Sequence, residues 1–498
     1  MADTNNSELT YAVQTGFTGT LPATPDWRIV ERSEISSFGN TFTKSEPTRI
    51  SRNRNMRKKK TQSVDSTVEF TAPLDFDSTL QFSQGFVMGL AAGPSYFVST
   101  AATGTGVTVP AIPAGSASQM INGQTIIGIK GFKTQSNNGH RILGGAVAGG
   151  ATSITLPNMT VESVASNRRA EIYIAGVRGA SGDLQIDADQ NLTSTALDLS
   201  ALGLVVGQFI YIGGVDDVNS FNEDENKGFA QITAIATNKL TLAKRDQPYT
   251  AETGAGISVD ILFGPYIRNY SVDHANFLRR YYMFGLKTVF ENGNPTIHEY
   301  ALDNACDALS LDVQKDGFVE VSFGFIGSIT NNPSTTQAAG ESDAAPYNAT
   351  QEYSTSTDLI RLSIDDIDES GLMTDFDSLS LTISNGISAR KVLGQIKAAQ
   401  LNLSDLAVTT EATALFTDGD VIERIRCDKP VSLRLPFWND DGGIYFHVPQ
   451  MTLEGGDRAW PENESVTINS TGSAFHDDID GTSIEISMFP VLPPRPCS

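Results

Sequence analysis

The side chains able to do chemistry are few and scattered. The chain has 498 residues but three cysteines, Cys306, Cys427 and Cys497, and five histidines, His140, His274, His298, His447 and His476. No two of these lie at metal-ligand or nucleophile–base spacing, so neither a zinc site nor a disulfide framework is expected. Paired carboxylates are more common: Asp216-Asp217, Glu223-Asp224-Glu225, Asp365-Asp366 with Asp368-Glu369, Asp440-Asp441, and Asp477-Asp478 with Asp480. Such pairs serve as general acid and base or as cation ligands, but these sit in turn-like contexts and read mostly as solvated turns. Asp187-Ala-Asp189-Gln-Asn191 resembles the start of a calcium loop, yet Leu192 stands where the required glycine should be and the closing glutamate is missing. The Gly144–Gly150 run has no surrounding βαβ pattern, and no phosphate loop, His-Glu-x-x-His or Gly-x-Ser-x-Gly motif occurs. His447 lies in an alternating strand pattern and Asp273-His274 has no nearby nucleophile, so both read as structural. The reading is of a protein with no active site, no metal and no cofactor.

The sharpest local feature is basic. Arg49, Arg52, Arg54, Arg57, Lys58, Lys59 and Lys60 crowd into twelve positions. Residues 1–60 carry ten Lys/Arg and six Asp/Glu, whereas the whole chain has a net charge of −23. Three readings fit this run: phosphate contact, a solvated loop, or docking on an acidic surface of a second copy. The acidic bulk of the chain favours docking, since opposite charges steer subunits together and fix register. The same acidity argues against a general nucleic-acid binder or an anionic-membrane binder. No run of 18 apolar residues and no signal-like segment is present, so a protein of a reducing compartment is expected. Phe277–Phe284 holds aromatics and arginines of the types that stack on bases, but the segment reads better as a strand with one packed and one intersubunit face.

The elements that must position these residues are overwhelmingly strands. Val319–Ile326, Val431–Leu435, Ser465–Ile468 and Ser483–Met488 alternate apolar and polar residues with period two. Asn439–Gly443 and Gln314–Gly317 are hairpin turn signals. The best helical pattern runs from Asp75 to Leu90, and Glu411–Phe416 is a weaker second one. In the middle of the chain, Gly123-Gln-Thr-Ile126 and Gly207-Gln-Phe-Ile210 each precede an Asn-rich turn ending in Gly139 or Gly228, which predicts two small β modules. Cys306–Val313 and Phe376–Ile383 share an Asp-x-Leu-Ser-Leu core 70 residues apart, which suggests two copies of one fold. Thr330–Pro346 is polar and almost without large apolar residues, and is expected to be a long loop, mobile unless a partner orders it. The fold class expected is mainly β. Residues 1–95 and 265–330 would form a first domain, 96–264 an inserted β region, 331–349 a long loop or linker, and 350–498 a second domain.

These residues also carry a resemblance. Tyr11–Gly16, Pro25-Asp-Trp27-Arg-Ile-Val30, Ser45-Glu46 before the basic run, and Val68-Glu-Phe70 are similar to the opening of tail tube (major tail) proteins of long-tailed, siphovirus-like bacteriophages. So are Asp307–Leu311 with Val319–Gly327, Val431–Leu435, Gly443–Pro449 and Ala474-Phe475. The resemblance covers both flanks but not 96–264, and rests on the order of weak motifs. It implies tail-tube-type β-sandwiches with short flanking helices, whose inner strands close into a barrel around an acidic lumen that passes viral DNA without binding it. It further implies stacked rings in the virion tail, assembled in the host cytoplasm, with tail tip, tape measure and tail terminator proteins as partners and no membrane. Family rings are mostly six single-domain subunits; two tube domains per chain would make three chains a ring of pseudo-sixfold symmetry, six chains being the alternative. Arg49–Lys60 and the stretch containing Asn331, Pro333 and Tyr347 are the candidates for contacts between rings or subunits. The 96–264 insertion would project outward as a decoration. The rival readings are a surface adhesin or receptor-binding β-protein and, more remotely, a carbohydrate-active enzyme using an acidic pair such as Asp440 and Asp441.

Overall fold

The computed structural model describes the chain except residues 1, 15, 24, 49–57, 166, 167, 216, 217, 244–247, 292, 293, 345–350, 361, 367–371, 374, 418, 461, 463, 464, 478–480 and 495–498, and except the side chains of residues 2–5, 343 and 366. Strands dominate and helices are few. One 16-stranded sheet system takes its strands from before residue 74 and after residue 265, and the segment between supplies two further sheets of ten and four strands. The first system is called the frame here, and the second the insertion.

The frame repeats one topology. Its first half contributes β1 (Ala2–Gln14), β2 (Glu34–Ser45), β3 (Lys60–Pro73), helix α1 (Phe76–Phe86), β4 (Tyr281–Phe290), β5 (Ile297–Gln314), β6 (Glu320–Gly327) and β7 (Ile329–Thr330). Its second half contributes β8 (Ser363–Asp366), β9 (Phe376–Ser384), β10 (Ala407–Leu415), helix α2 (Asp420–Arg426), β11 (Val431–Asn439), β12 (Gly442–Ala459), β13 (Thr467–Ala474) and β14 (Glu485–Phe489). In the first half the lateral order is β2-β3-β6-β5-β4-β1, with β7 also on β5. In the second it is β9-β10-β13-β12-β11-β8, with β14 also on β12. Each of these elements has its counterpart in the other half, in the same chain order; the remaining two of the sixteen strands, Arg28–Ile29 on β1 and Tyr266–Arg268 on β14, are short additions outside the repeat. The insertion enters the first half alone, between α1 and β4.

Alternation explains the strands. In β9 the leucines and isoleucine Leu379, Leu381 and Ile383 are buried, and Ser378, Ser380 and Thr382 between them are half-buried. Glu411–Phe416, read above as a weak helix, lies in strand β10 through Leu415 instead. Val408, Thr410, Ala412 and Ala414 alternate inward there, and ladder bonds to β9 and β13 override a local helical preference. The other helical pattern does form α1. Asp75 caps it, accepting a hydrogen bond from Ser78 N at 2.8 Å. Every residue of α1 is buried. Phe82 sits among the rings of Tyr11, Phe323 and Tyr282, at centroid distances of 4.9, 5.0 and 5.6 Å. Gly85 allows close contact with the strands, because a Cβ there would lie 2.6 Å from Cys306 Sγ. A single core runs from Leu9 and Phe70 through α1 to Leu433 and Ile486 and so joins the two halves.

The insertion is also built twice. Asn137 takes a hydrogen bond from Thr160 N and donates to Glu162, whose carboxylate also accepts from Lys133 N and Thr134 N. Asn226 takes one from Thr250 N and donates to Glu252, which accepts from Asn222 N and Glu223 N. The glycines that follow, Gly139 and Gly228, both adopt positive φ, +98° and +103°. The modules meet where Ala170–Arg178 pairs Asp260–Leu262, with Arg178 and Asp260 joined by a salt bridge at 2.7 Å. The insertion leans on both halves of the frame. Phe76 of α1 meets Tyr173, and Phe209 stacks on Tyr445 of β12 at 4.0 Å.

Candidate conduit face and assembly edges

The two halves are joined strand to strand. The C-terminal part of β5 pairs antiparallel with β9, Leu309 opposite Ile383 and Leu311 opposite Leu381. This makes one continuous run, β2-β3-β6-β5-β9-β10-β13-β12. One side of the run lies against the core. The other side is open, and its composition is uniform. Across successive ladder rows it presents Thr71, Ser322, Ser310, Thr382, Thr409 and Ser473, then Glu320, Asp312, Ser380, Glu411, Thr471 and Glu454. Asp65 and Glu69 of β3 and Asp457 of β12 add carboxylates. Among the described residues from β3 through β13, apart from exposed Lys60 at the very start of β3, no outward ladder position holds lysine or arginine. Such a face is hydrated and predominantly negative; Lys391, which reaches Asp65 from a neighbouring hairpin at 2.6 Å, is paired with a carboxylate rather than free to grip a phosphate.

The run ends in two open edges. Among the described residues, β2 has a ladder partner on one side only, β3. In β12, residues 442–451 pair with β11, but Thr452–Ala459 has a ladder only to β13. The equivalent stretch of β5 is the one that accepts β9. The strand equivalent to β9 in the first half is β2. The junction inside the chain, β5 to β9, thus has no filled counterpart: Thr452–Ala459 of β12 and the outer edge of β2 are both open among the described residues. An edge with unpaired N–H and C=O groups templates pairing.

A family model described as phage tail tube protein matches residues 4–482. The chain belongs to that family. No curated protein matches it. Membership makes the chain a structural component of a phage tail, and the mainly β fold agrees with it.

In this tail tube family member the residues singled out from sequence fall at different places. Arg49, Arg52, Arg54 and Arg57 lie outside the described residues, as does Tyr347. Lys58, Lys59 and Lys60 are exposed at the end of the β2–β3 hairpin. Asn331 and Pro333 are exposed, but their stretch is ordered by its own chain. Asn331 N donates to Tyr300 O, Ser334 exchanges backbone bonds with His298, and Trp27 Nε1 donates to Ala339 O. Glu341 is buried and accepts from Thr10 Oγ1 and Tyr300 OH. The stretch is a loop, as expected, and its hydrogen bonds run to the first half.

Two of the carboxylates read as solvated turns are internal. Asp365 and Asp477 are buried, the first bonded to Ser363 and the second to Gln450 Nε2 at 2.6 Å. Asp187 is occupied by Asn191, through its backbone N and Nδ2, and by Lys239. His447 is buried with Nδ1 3.0 Å from Glu485, which also accepts from Tyr266 OH. Burial pushes the Glu485 carboxyl up to about 8, against the pull of Tyr266 and Arg268. The Phe277–Phe284 segment becomes strand only from Tyr281, with Tyr282 and Phe284 in the core. The open face itself was missed. Its signal was present in the strand pattern: the middle outward positions are mostly Ser, Thr, Asn, Asp and Glu, with apolar residues such as Ala308, Ile326, Ala407 and Leu415 nearer the strand ends.

Proposed function

We propose that this chain polymerises into stacked rings that form the phage tail tube, and that the open face of β2-β3-β6-β5-β9-β10-β13-β12 lines its lumen. The observation that carries the reading is the pair of open edges at the ends of a run whose internal junction already demonstrates the pairing they need. Edge-to-edge addition of β2 to Thr452–Ala459 closes the run on itself and leaves no exposed edge. Each chain brings two copies of the topology, so three chains make a ring of pseudo-sixfold symmetry. The 1–95 with 265–330 segment and the 350–498 segment act as two tube domains, and 331–349 connects them.

The lumen is then acidic and rich in hydroxyls. DNA is repelled by the carboxylates and finds water-like hydrogen bonding in the serines and threonines, so it slides without specific binding. The insertion packs on the side away from this face and decorates the outside of the tube. Assembly takes place in the host cytoplasm, with tape measure, tail tip and terminator proteins setting length and ends. The function is architectural, without catalysis.

Electron microscopy of the purified chain at raised concentration tests this. Hollow tubes with a regular axial repeat are expected. Discrete particles that form no tubes, even with a tail-initiation complex added, overturn the reading in favour of an adhesin.

A further inference from the structure

The insertion meets the frame across a cleft of about 790 Å³. That volume is in the range of small-molecule sites, which often lie where domains adjoin. Its two sides have opposite charge. The insertion side presents Lys130, Lys133, Arg168 and Arg169, with His140 beside them. The frame side presents Glu31 from the first half and Asp440 and Asp441 from the turn between β11 and β12. Pro490, Val491 and Leu492, which follow β14, give the cleft an apolar wall.

The charges on the two sides are not spent on each other. Arg169 is committed, to Glu171 at 2.7 Å and to Asp26 at 2.9 Å. The Asp441 carboxylate accepts from Gln351 N, and its carbonyl accepts from Lys130 Nζ at 2.6 Å. Lys133, Arg168, Glu31 and Asp440 are exposed, and among the described residues none of the four has a salt bridge. Lys130 lies deeper, half-buried over the Phe76 ring. Removal from water lowers its pKa, although Asp77, Asp441, Glu171 and Asp75 pull the other way. Of the three protons on its Nζ, the Asp441 carbonyl takes one. Glu31 is perturbed in the opposite sense: desolvation in the cleft and the charges of Asp75 and Glu352 push its carboxyl up. An ammonium short of acceptors and a carboxylate crowded by carboxylates each gain from a ligand group of opposite charge.

We propose that this cleft binds a zwitterionic ligand, an amino-carboxylate with an apolar span. Its acid group lies toward Lys130, Lys133 and Arg168, its ammonium toward Glu31 and Asp440, and the span between them along Pro490–Leu492. The planar guanidinium of Arg168 is free to take a carboxylate through two parallel hydrogen bonds. A plain anion meets the frame carboxylates and a plain cation meets the basic residues of the insertion, so one side disfavours each. The site uses residues of a single chain and stands apart from the reading that chains form rings.

Calorimetric titration of the full chain with three probes of matched length tests this: 6-aminohexanoate, hexanoate and hexylammonium. The zwitterion is expected to bind at least fivefold more tightly than either singly charged probe. Lys133→Ala with Arg168→Ala should weaken its binding at least fivefold, and so should Glu31→Gln with Asp440→Asn. All four side chains are exposed, so both double variants should keep the wild-type unfolding midpoint. No binding of 6-aminohexanoate, equal binding of the three probes, or binding that survives both pairs of changes overturns the proposal. Loss from the lysine–arginine pair alone, with hexanoate bound as tightly as the zwitterion, makes the ligand a plain anion and overturns it too.

Discussion

Helices α1 and α2 occupy the same place in the two halves, each between the hairpin strand that precedes it and the long strand pair that follows. α1 has eleven residues, all buried. α2 has seven, and only Val421 is buried. The difference follows from what covers them. The insertion closes over α1, with Phe76 against Tyr173 and Lys130 Nζ 3.7 Å from the centre of the Phe76 ring. α2 keeps Asp420, Glu423 and Arg426 in water and rests Ile422 and Ile425 on β12. One topology therefore tolerates two quite different helices. Strand pairing defines the half, and the helix adapts to its cover.

The largest expected effect comes from the covered helix. Phe82→Ala removes the ring at the centre of the aromatic core and should destabilise the protein by about 3–5 kcal/mol in denaturant unfolding. A loss below about 1 kcal/mol would break the contrast between the helices. Next come the duplicated turns of the insertion. Asn137→Ala and Asn226→Ala each remove hydrogen bonds to the backbone N–H of Thr160 or Thr250 and to the carboxylate of Glu162 or Glu252, and should cost about 0.5–1.5 kcal/mol apiece. Clearly unequal losses would show that the two modules are not energetically equivalent.

The cover over α1 also carries a pH signature. Burial pushes the Asp77 carboxyl up to about 8; the charges of Glu171 and Asp75 add to this, and Lys130 and Arg28 oppose it. A carboxyl with a raised pKa keeps a proton in the fold that the unfolded chain gives up near pH 4. The folded state then binds more protons, so stability falls as pH rises from about 4 toward about 8. Glu485, also near 8, acts in the same direction. Asp77→Asn should flatten the fall measured by unfolding across that window, and an unchanged slope would remove Asp77 from the account. The smallest effect belongs to the bare helix: Ile422→Ala should cost no more than about 1 kcal/mol, since the side chain is already half in water.

Much of the fold was legible from alternation and turn residues. Val319–Ile326, Val431–Leu435 and the Asp75–Leu90 helix all stand close to where their patterns place them. The Asp-x-Leu-Ser-Leu echo is more instructive. Its two segments, in β5 and β9, are not equivalent strands of the two halves; they are neighbours, with Leu311 opposite Leu381. They look alike because both put leucines on the same core and Ser or Asp on the same open face. The true counterparts, β5 with β12 and β2 with β9, share order and pairing but no readable sequence, since a pleated strand constrains only which face is apolar. The hydrogen bonds that tie the loop from Asn331 to Ala344 to the first half were not legible for a related reason: they run through backbone groups and through Glu341, which composition does not reveal. The open face required knowing which strands adjoin.

The central claim is that two copies of one topology in a single chain make three chains a ring. Cryo-electron microscopy of assembled tubes, with the mass per axial repeat measured on the same sample, tests it most directly. The account predicts threefold rings with sixfold-like inner density, three chains per repeat, and β2 of one chain paired with Thr452–Ala459 of its neighbour. Six chains per ring, or a lumen lined by any other strands, would contradict it.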